Sequence, residues 1–382
     1  MIKVAIIEPV GSHGGMNYYN LAQARSLASN ECDVFLYTCR GPRVTSSPSM
    51  HVIESFRGIW GNLPRAMRGV NFIISLLYSI LHAKIHGIKI AHFHLFHFSA
   101  LELLCVKATK LFNMKVVITV HDVKSFDKAR NDKYSKSILS RADRLIVHNK
   151  ISATELRKIQ KDENSKIEII KHGNYFDSIE KSPRADDAKI KLGLKPTSPV
   201  VLFFGQIKEV KGLDLLIEAM KQAIEVHPDL HLLIAGKPWR QSFQPYLSLI
   251  ESKGLSNNVT CHIHYIPDSD VNFYYGSADL VVLPYREIYQ SGVLLMAMSY
   301  SKAVLVSDIP GMSEIVAHAK NGYTFANGDS HHLAVRLIEI FNKKAELSDI
   351  GNAARDLMAA EYSWTEIGLK TKSLYMEVLR EG

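Results

Sequence analysis

Two lysines lie in a short turn between a strand pattern and a helix pattern in the second half of the chain. In FFGQIKEVKGLDLLIEAM the apolar strand ends at Gly205, Lys208 and Lys211 follow, and Gly212 precedes an amphipathic helix. Positive side chains at the carboxyl end of a strand, beside a helix start, are suited to neutralising a diphosphate. The alternative is that both lysines are ordinary exposed turn residues.

A second polar loop precedes an apolar helix pattern in YREIYQSGVLLMAM, directly after the strand-like ADLVVLPY. Gln290, Ser291 and Gly292 are expected to form the first turn of that helix. Amide and hydroxyl groups there, with backbone N–H groups, suit phosphate oxygens or sugar hydroxyls, and Glu287 adds a carboxylate acceptor. The alternative is that the serine merely caps the helix.

A glycine-rich turn, GSHGG, follows the first strand pattern and leads into a helix. Gly14 and Gly15 let backbone N–H groups approach an anion at the helix start. A plain strand-to-helix turn is the alternative. The spacing is not G-x-G-x-x-G, and no acidic residue ends the second strand, which argues against a nicotinamide-dependent enzyme.

Histidines collect at strand ends in the first half, at positions 92, 94, 97, 121, 148 and 172. A metal site is not favoured, because no carboxylate or cysteine completes a ligand set. His121 closes the most apolar strand of this half, where a doubly wound sheet places its functional groups. We expect it to face a ligand, the alternative being a satisfied core histidine.

The wider pattern predicts an α/β chain with two doubly wound, Rossmann-like domains that face each other across a cleft. Short β-branched runs alternate with helix patterns, first KVAIIEPV, CDVFLYT, IKIAHFHLF, KVVITVHD, DRLIVHN and KIEIIKHG, then PVVLFFGQI, LHLLIAGKP, VTCHIHYIP, ADLVVLPY and KAVLVSD. Such runs are typical of parallel sheets covered on both faces. The predicted division is residues 1–178, 179–362 and a C-terminal helix, 363–382, that crosses back to the first domain.

Composition indicates an ordinary globular protein of 382 residues, 47% of them hydrophobic and 22% charged. The start MIKVAIIEPVG lacks the basic segment of a signal peptide, so a cytoplasmic location is expected. Four dispersed cysteines suggest neither a disulfide framework nor a zinc site. Residues 1–190 hold 28 Lys and Arg against 17 Asp and Glu. This excess suggests an anionic surface or acceptor at the first half, unless it is a solvated charge bias.

The apolar stretch VNFIISLLYSILHA, residues 70–83, is too short to span a bilayer and predicts a buried or interfacial helix. Arg57, Arg65 and Arg68 precede it, together with Trp60. We expect peripheral binding to an anionic membrane at the inner face through this region. The alternative is a helix packed wholly inside its domain with solvated arginines.

These segments together resemble the retaining glycosyltransferases of family 4, which have the GT-B fold. The matching stretches are FGQIKEVKGLDLLIEAM, LLIAG, YIPDSDVNFYYGSADLVVLPY, SGVLLMAMSYSKAVLVSDIPGMSEIV, NGYTFANGD, GGMNYYNLAQARSLA, TVHD and the final tryptophan helix. They cover nearly the whole chain. The resemblance implies catalytic roles for His121, Lys208, Lys211 and Glu287, and donor binding by Gly14, Gly15, Gly205, Gln206, Gln290, Ser291 and Gly292.

The chain departs from the family's usual pair of glutamates eight residues apart, because Ile288 and Met296 stand at those positions. Glu287 lies one residue from the first position and is expected to replace it. The usual arginine after FG is Gln206, so Lys208 is expected to take over one phosphate contact. These departures concern the donor nucleotide more than the fold.

The resemblance implies transfer of a hexosyl-type sugar, with retention, from a UDP- or GDP-linked donor to a glycan or lipid-linked acceptor. Bacterial surface polysaccharide synthesis is the expected setting, with no metal, no further cofactor and no nucleic acid. A non-catalytic homologue that binds sugar nucleotides is one alternative, suggested by the missing glutamate. A GT-B-fold epimerase or phosphorylase is another, although the expected carboxylate set or cofactor lysine is not evident.

Overall fold

The chain is described here from a computed structural model, which covers residues 1–9, 11, 15–39, 46–123, 133–160 and 166–381. Gly14 lies outside these residues. The chain divides into two compact units, one formed by Met1–Gly173 with Tyr362–Gly382 and the other by Asn174–Glu361. The division falls a few residues before the predicted boundary at 178/179, and the charged interval that follows belongs to the second unit.

The strands alternate with helices along the whole chain. The strands are β1 (Ile2–Glu8), β2 (Cys32–Cys39), β3 (Met50–Phe56), β4 (Ile90–Leu95), β5 (Lys115–Val120), β6 (Arg144–Val147), β7 (Ile167–Ile169), β8 (Val200–Phe204), β9 (His231–Ala235), β10 (Val259–His262), β11 (Leu280–Leu283), β12 (Ala303–Ser307) and β13 (Tyr323–Phe325). Their length and β-branched content are those of buried parallel strands.

The helices cover the faces of the sheets. They are α1 (Met16–Ser29), α2 (Arg65–Ile85), α3 (Ala100–Leu111), α4 (Ser135–Leu139), α5 (Lys150–Gln160), α6 (Ala185–Lys191), α7 (Leu213–Val226), α8 (Gln244–Ser252), α9 (Val271–Ser277), α10 (Gly292–Ser299), α11 (Pro310–Ser313), α12 (Ser330–Asn342), α13 (Leu347–Glu361) and α14 (Trp364–Arg380). Short 3₁₀ turns span Glu209–Lys211, Asp268–Asp270 and Lys344–Glu346.

The first unit is built on a parallel sheet with the strand order β3-β2-β1-β4-β5-β6-β7. The order reverses between β1 and β4, which creates a crevice at their carboxyl ends where ligands bind in open α/β sheets. Apolar residues of α1, β1, β2 and α14 form a common core, so the C-terminal helix belongs to this unit.

The second unit repeats the plan with a parallel sheet in the order β10-β9-β8-β11-β12-β13. Its reversal lies between β8 and β11. The core is formed by the sheet together with the apolar faces of α7, α8 and α12. The two lysines identified above follow β8 and the Gln-Ser-Gly loop follows β11, so both loops leave the sheet at its reversal point.

Two strands were not predicted from the sequence, and both lie at sheet edges. The interior residues of β3 are only partly buried and include His51, Glu54 and Ser55, so it lacks the continuous apolar run expected of a central strand. The other, β13, has three residues. Edge strands need less apolar surface, since one side has no neighbouring strand.

Candidate donor site and the histidine cluster

The loops after β8 and β11 are bonded directly to each other in the second unit. The backbone N–H of Arg286 donates to the carbonyl of Val210 over 2.8 Å. Gly212 has a positive φ of 63°, and a Cβ there would lie 2.0 Å from the carbonyl oxygen of Pro284. Only glycine therefore permits both this backbone conformation and this close approach.

The side chain of Arg286 fastens the same two loops. Its guanidinium forms a bidentate pair with Asp214, with distances of 3.0 and 2.6 Å, and donates to the carbonyl of Glu209 over 2.9 Å. Asp214 lies in the first turn of α7. The 3₁₀ turn that carries Lys211 is thus fixed from its two sides, by α7 and by the loop after β11.

Lys211 points into the space at the sheet's reversal point. Its ammonium lies 5.1 Å from the centre of the Tyr285 ring and 3.5 Å from where a Cβ of Gly205 would be. Burial lowers the pKa of Lys211 to about 8. Within the described part of the chain, no carboxylate lies at ion-pair distance from it. A partly dehydrated ammonium without a carboxylate suits an anionic ligand.

Lys208 lies beside the same space and is half-buried. Its ammonium is 5.4 Å from the centre of the Trp239 ring, and the backbone N–H of Trp239 donates to the carbonyl of Ile207. The loop after β9 therefore supports the base of the lysine turn. Gln206, which occupies the usual arginine position, is exposed, and Gly205 is half-buried.

Helix α10 begins at the reversal point with Ser291 as its N-cap. The Ser291 hydroxyl is buried and accepts a hydrogen bond from the N–H of Leu294 over 3.2 Å. Ser291 therefore caps α10, with Gln290 directly before the cap and Gly292 as the first residue of the helix. A Cβ on Gly292 would lie 2.8 Å from the hydroxyl of Tyr175, which places a buried phenol against this helix start.

The two positions that depart from the family pattern differ in exposure. Glu287 is exposed at the outer part of the loop, whereas Met296 is buried in α10. A thioether is at best a weak acceptor, so Met296 cannot replace a carboxylate in binding ribose hydroxyls.

In the first unit the strand ends bring five histidines together around the ring of Tyr19. His94, His121, His148 and His172 each lie with their ring centres 4.8 to 5.5 Å from that ring, and His92 stacks on His94 at 4.9 Å. We call these five side chains the histidine cluster. Sequence analysis noted all five at strand ends but expected only His121 to face a ligand, because it closes the most apolar strand; the other four lie on or after β4, β6 and β7.

His121 lies at the partly exposed border of the histidine cluster. Its Nε2 is 3.0 Å from Nδ1 of His94, and its ring stacks on Phe96 at 4.6 Å with an interplanar angle of 10°. Burial, followed by the neighbouring His148, lowers the pKa of His121 well below its ordinary value. The imidazole is therefore neutral near pH 7 and can exchange hydrogen bonds but carries no charge.

Gly15 is the N-cap of α1, where its carbonyl accepts from the N–H of Tyr19. Nearby, the N–H of Gly11 and the amide of Asn20 both donate to the buried carboxylate of Glu8. In the described part of this turn, these N–H groups therefore bind the protein's own carboxylate, that of Glu8.

Two family descriptions account for most of the chain. The one called Glycosyltransferase Family 4 matches residues 13–173, and the one called Glycosyl transferases group 1 matches residues 185–357. This chain belongs to glycosyltransferase family 4. The resemblance proposed from the motifs is confirmed, and the two matches correspond to the two structural units.

Curated relatives in the family differ in how much of their length this chain covers. A D-inositol 3-phosphate glycosyltransferase of Thermobispora bispora is 24% identical over 97% of this chain and 91% of its own length. One from Segniliparus rotundus is 24% identical over 64% of this chain and 54% of its own. A lipopolysaccharide 1,2-N-acetylglucosaminetransferase of Salmonella typhimurium is 27% identical over 53% of this chain and 54% of its own length. The chain spans about half the length of the last two.

Solved structures of similar fold superpose along nearly the whole chain. Sucrose-phosphate synthase from Thermosynechococcus elongatus superposes with a TM-score of 0.81 at 22% identity, covering all of both chains. Anabaena HepE in complex with UDP superposes with a TM-score of 0.74 at 17% identity, covering 98% of this chain and 100% of the HepE chain. The predicted fold class, two parallel-sheet α/β domains of GT-B type, is confirmed.

Proposed function

We propose that the protein transfers a sugar from a nucleoside diphosphate sugar to a glycan or lipid-linked acceptor, with retention at the anomeric carbon. The observation that carries this proposal is Lys211, a partly dehydrated ammonium with a pKa lowered to about 8 at the reversal point of the second sheet. The departing diphosphate is the anion that such a group stabilises. A UDP- or GDP-linked hexose is the proposed donor.

The chemistry assigned to the second unit is stabilisation of the leaving group. Lys211 and Lys208 contact the diphosphate oxygens, and the start of α10 at Ser291 presents the positive end of a helix dipole. Charge that develops as the sugar–oxygen bond breaks then meets fixed positive partners. We assign sugar and nucleotide hydroxyl contacts to Gln290, Gly292 and Glu287.

Solved relatives support a nucleotide-sugar donor. Anabaena HepE has been crystallised with UDP and with UDP-glucose. Transfer without a metal ion is part of the proposal, because the lysines supply the positive charge. Among the described residues no group of three His, Cys, Asp or Glu side chains is placed to hold a metal ion.

We assign the acceptor to the first unit, at a cavity of about 510 Å³ beside the carboxyl ends of β2 and β3. Glu54, Arg57 and Trp60 are among its lining residues. A carboxylate and an indole face suit sugar hydroxyls and ring carbons, and a guanidinium suits a phosphate. The cavity lies directly before α2 in the chain, and α2 offers an apolar surface for a lipid tail.

Helix α2 is apolar on both of its faces. Leu76, Ile80 and Ala83 are buried in the unit, whereas the outward side carries exposed large apolar residues at positions 67, 70, 73, 74, 77, 78, 81 and 85. A surface helix ordinarily exposes a polar face, so this one is suited to an apolar partner. The exposed apolar residues do not fit a helix that packs wholly inside its domain.

An anionic bilayer surface is the proposed partner of α2, in line with bacterial surface polysaccharide synthesis from the inner face of the membrane. Among the described helices, only Arg65–Ile85 is long and apolar enough to cross a bilayer. Crossing would withdraw Leu76 and Ile80 from the core. Attachment by the outward side keeps that core, and the exposed Arg57, Arg65 and Lys84 lie beside it to pair with anionic headgroups.

The decisive experiment measures donor hydrolysis and transfer with a panel of UDP- and GDP-sugars, before and after removal of divalent metals. Lys211→Ala and Lys208→Ala should each lower turnover about 30- to 1000-fold, the cost of a charged contact to a leaving group. Lys320→Ala, at an exposed lysine in the same unit, serves as the matched control.

Full activity in both lysine variants would remove them from the site. Loss of activity on chelation, restored by Mg²⁺ or Mn²⁺, would overturn the metal-independent mechanism. Tight nucleotide binding with no turnover on any donor would support the alternative that the protein is a non-catalytic homologue. The observation behind that alternative is Met296, which is buried at the position of the usual glutamate.

A further inference from the structure

The His94–His121 pair has two hydrogen-bonding arrangements, since a neutral imidazole carries its proton on one of two nitrogens. Nδ1 of His94 lies 3.0 Å from Nε2 of His121. Either His94 donates from Nδ1, or His121 donates from Nε2. The two arrangements place the remaining proton on different atoms.

The surroundings of His94 distinguish the two arrangements. Its Nε2 is buried and has no hydrogen-bond partner among the described residues. If His121 donated, His94 would carry its proton on this buried Nε2, which would leave an N–H unsatisfied. If His94 donates, its Nε2 bears only a lone pair. An unsatisfied buried donor is more costly than an unpaired acceptor on a polarisable ring, so donation by His94 is favoured.

His148, in the same cluster, has the protonation that we infer for His94, with the proton on Nδ1 and a lone pair on Nε2. Its Nδ1 is 2.8 Å from the carbonyl of Ile170, which can only accept, so the proton is on Nδ1. Its Nε2 is then a lone pair, and it is likewise buried without a partner in the described residues. The cluster therefore already holds one histidine with a buried lone pair on Nε2.

We propose that His94 is a positioning residue that fixes His121 with its proton on Nδ1, so that His121 presents a hydrogen-bond donor to an oxygen of the ligand. Nδ1 of His121 makes no hydrogen bond among the described residues, and the side chain is partly exposed. Stacking on Phe96 and the edge contact with Tyr19 at 5.0 Å hold the ring plane.

The consequence for the reaction rests on the proposed function. A neutral imidazole with its proton on Nδ1 and its Nε2 already bonded to His94 has no lone pair for an incoming hydroxyl. His121 therefore donates to a sugar hydroxyl oxygen and does not act as the general base that removes the acceptor's proton.

The test has an arm that needs no substrate. Long-range ¹H–¹⁵N spectra of the ligand-free protein with ¹⁵N-histidine report which ring nitrogen carries the proton, and His121→Gln assigns the His121 signals. His121 should show the Nδ1–H form, as should His148, which is the internal reference. The Nε2–H form at His121 in the unsubstituted protein would overturn the proposal even if the enzyme transfers sugar.

The second arm changes His94. His94→Leu removes the donor and should shift His121 towards the Nε2–H form, with kcat about 10-fold lower and the affinity for the bare nucleotide unchanged. His94→Asn keeps an N–H near the position of Nδ1 and should restore both the spectrum and most of kcat. An unchanged His121 spectrum in His94→Leu would contradict the assignment, and if that variant does not fold, the spectrum of the unsubstituted protein still decides.

Discussion

The charge of Lys211 depends on pH within the range in which enzymes are assayed. Burial lowers its pKa to about 8 in the ligand-free protein. A diphosphate nearby stabilises the ammonium, so the ligand binds the protonated form more tightly. At the scale of single residues, this side chain therefore links donor affinity to proton uptake.

We predict that affinity for the nucleoside diphosphate weakens as pH rises through about 8. Below that value Lys211 is already charged and affinity should be flat, whereas above it binding must include proton uptake and should lose up to about tenfold per pH unit. Isothermal titration from pH 6.5 to 9.5 in buffers of different ionisation enthalpy measures both effects. A flat profile in the unsubstituted protein would contradict the linkage, and the same slope in Lys211→Ala would assign the pH dependence to another group.

At the scale of elements, two loops and one helix start act as a single assembly in the second unit. Arg286 connects them through Asp214, the carbonyl of Glu209 and its own backbone bond to Val210. The pair is half-exposed, so its contribution to global stability should be below about 1 kcal/mol. We expect its main effect to be on the position of Lys211.

We predict that Arg286→Ala lowers kcat/KM for the donor about tenfold while changing the free energy of unfolding little. Asp214→Asn should have a smaller effect in the same direction, and the double variant should cost less than the sum, because both residues act through one contact. Arg336→Ala, which removes the Arg336–Glu339 pair on α12, is the matched control. If the effects of Arg286→Ala and Asp214→Asn on kcat/KM simply add in the double variant, the pair does not position the lysine turn.

The outward side of α2 makes a second prediction at this scale. Co-sedimentation with anionic vesicles should be strong at low salt and weak at high salt, since each basic side chain near the surface contributes about 1 kcal/mol. Ile74→Glu and Arg65→Glu/Arg68→Glu should each reduce it, whereas Ile190→Glu, an exposed apolar residue of the second unit, should not. Equal recovery with neutral and anionic lipid would contradict the charge contribution.

At the scale of the whole molecule, the histidine cluster makes the first unit sensitive to acid. Burial lowers the pKa of His92 and His172 to about 3 and that of His148 to about 4, and lowers those of His94 and His121 as well. In the unfolded chain these side chains titrate near 6.5. Below pH 6.5 the unfolded chain therefore binds more protons, so stability falls as pH falls.

We predict that the free energy of unfolding of the first unit decreases by up to about 10 kcal/mol between pH 7 and pH 5, because each of the five histidines that stays neutral in the folded state costs about 1.4 kcal/mol per pH unit below pH 6.5. Urea unfolding of a Trp60→Phe/Trp239→Phe background, followed by the fluorescence of Trp364, reports on this unit, since the Trp364 ring lies 5.2 Å from Tyr19. His172→Gln should reduce the slope by about one proton, and the exposed His331→Gln should leave it unchanged. A flat profile would mean that the cluster admits water and protons without unfolding.

Sequence alone determined the alternation of strands and helices, the two-domain α/β class and the placement of Lys208, Lys211 and Ser291 at the ends of strands. Those features follow from local periodicity and from turn chemistry, which depend on residues within about one or two elements of each other. The edge strands β3 and β13 were not predicted, because their residues lack a continuous apolar run.

Only the tertiary structure showed that Arg286 pairs with Asp214, that Tyr175 lies against the start of α10, and that His94 bonds His121. These partners are separated by 72, 117 and 27 positions in the chain. They meet because parallel strands return to the same edge of the sheet in an order that local patterns do not encode. The strand ends could be found by reading the residues, but which ends are neighbours was decided by the packing of the sheets.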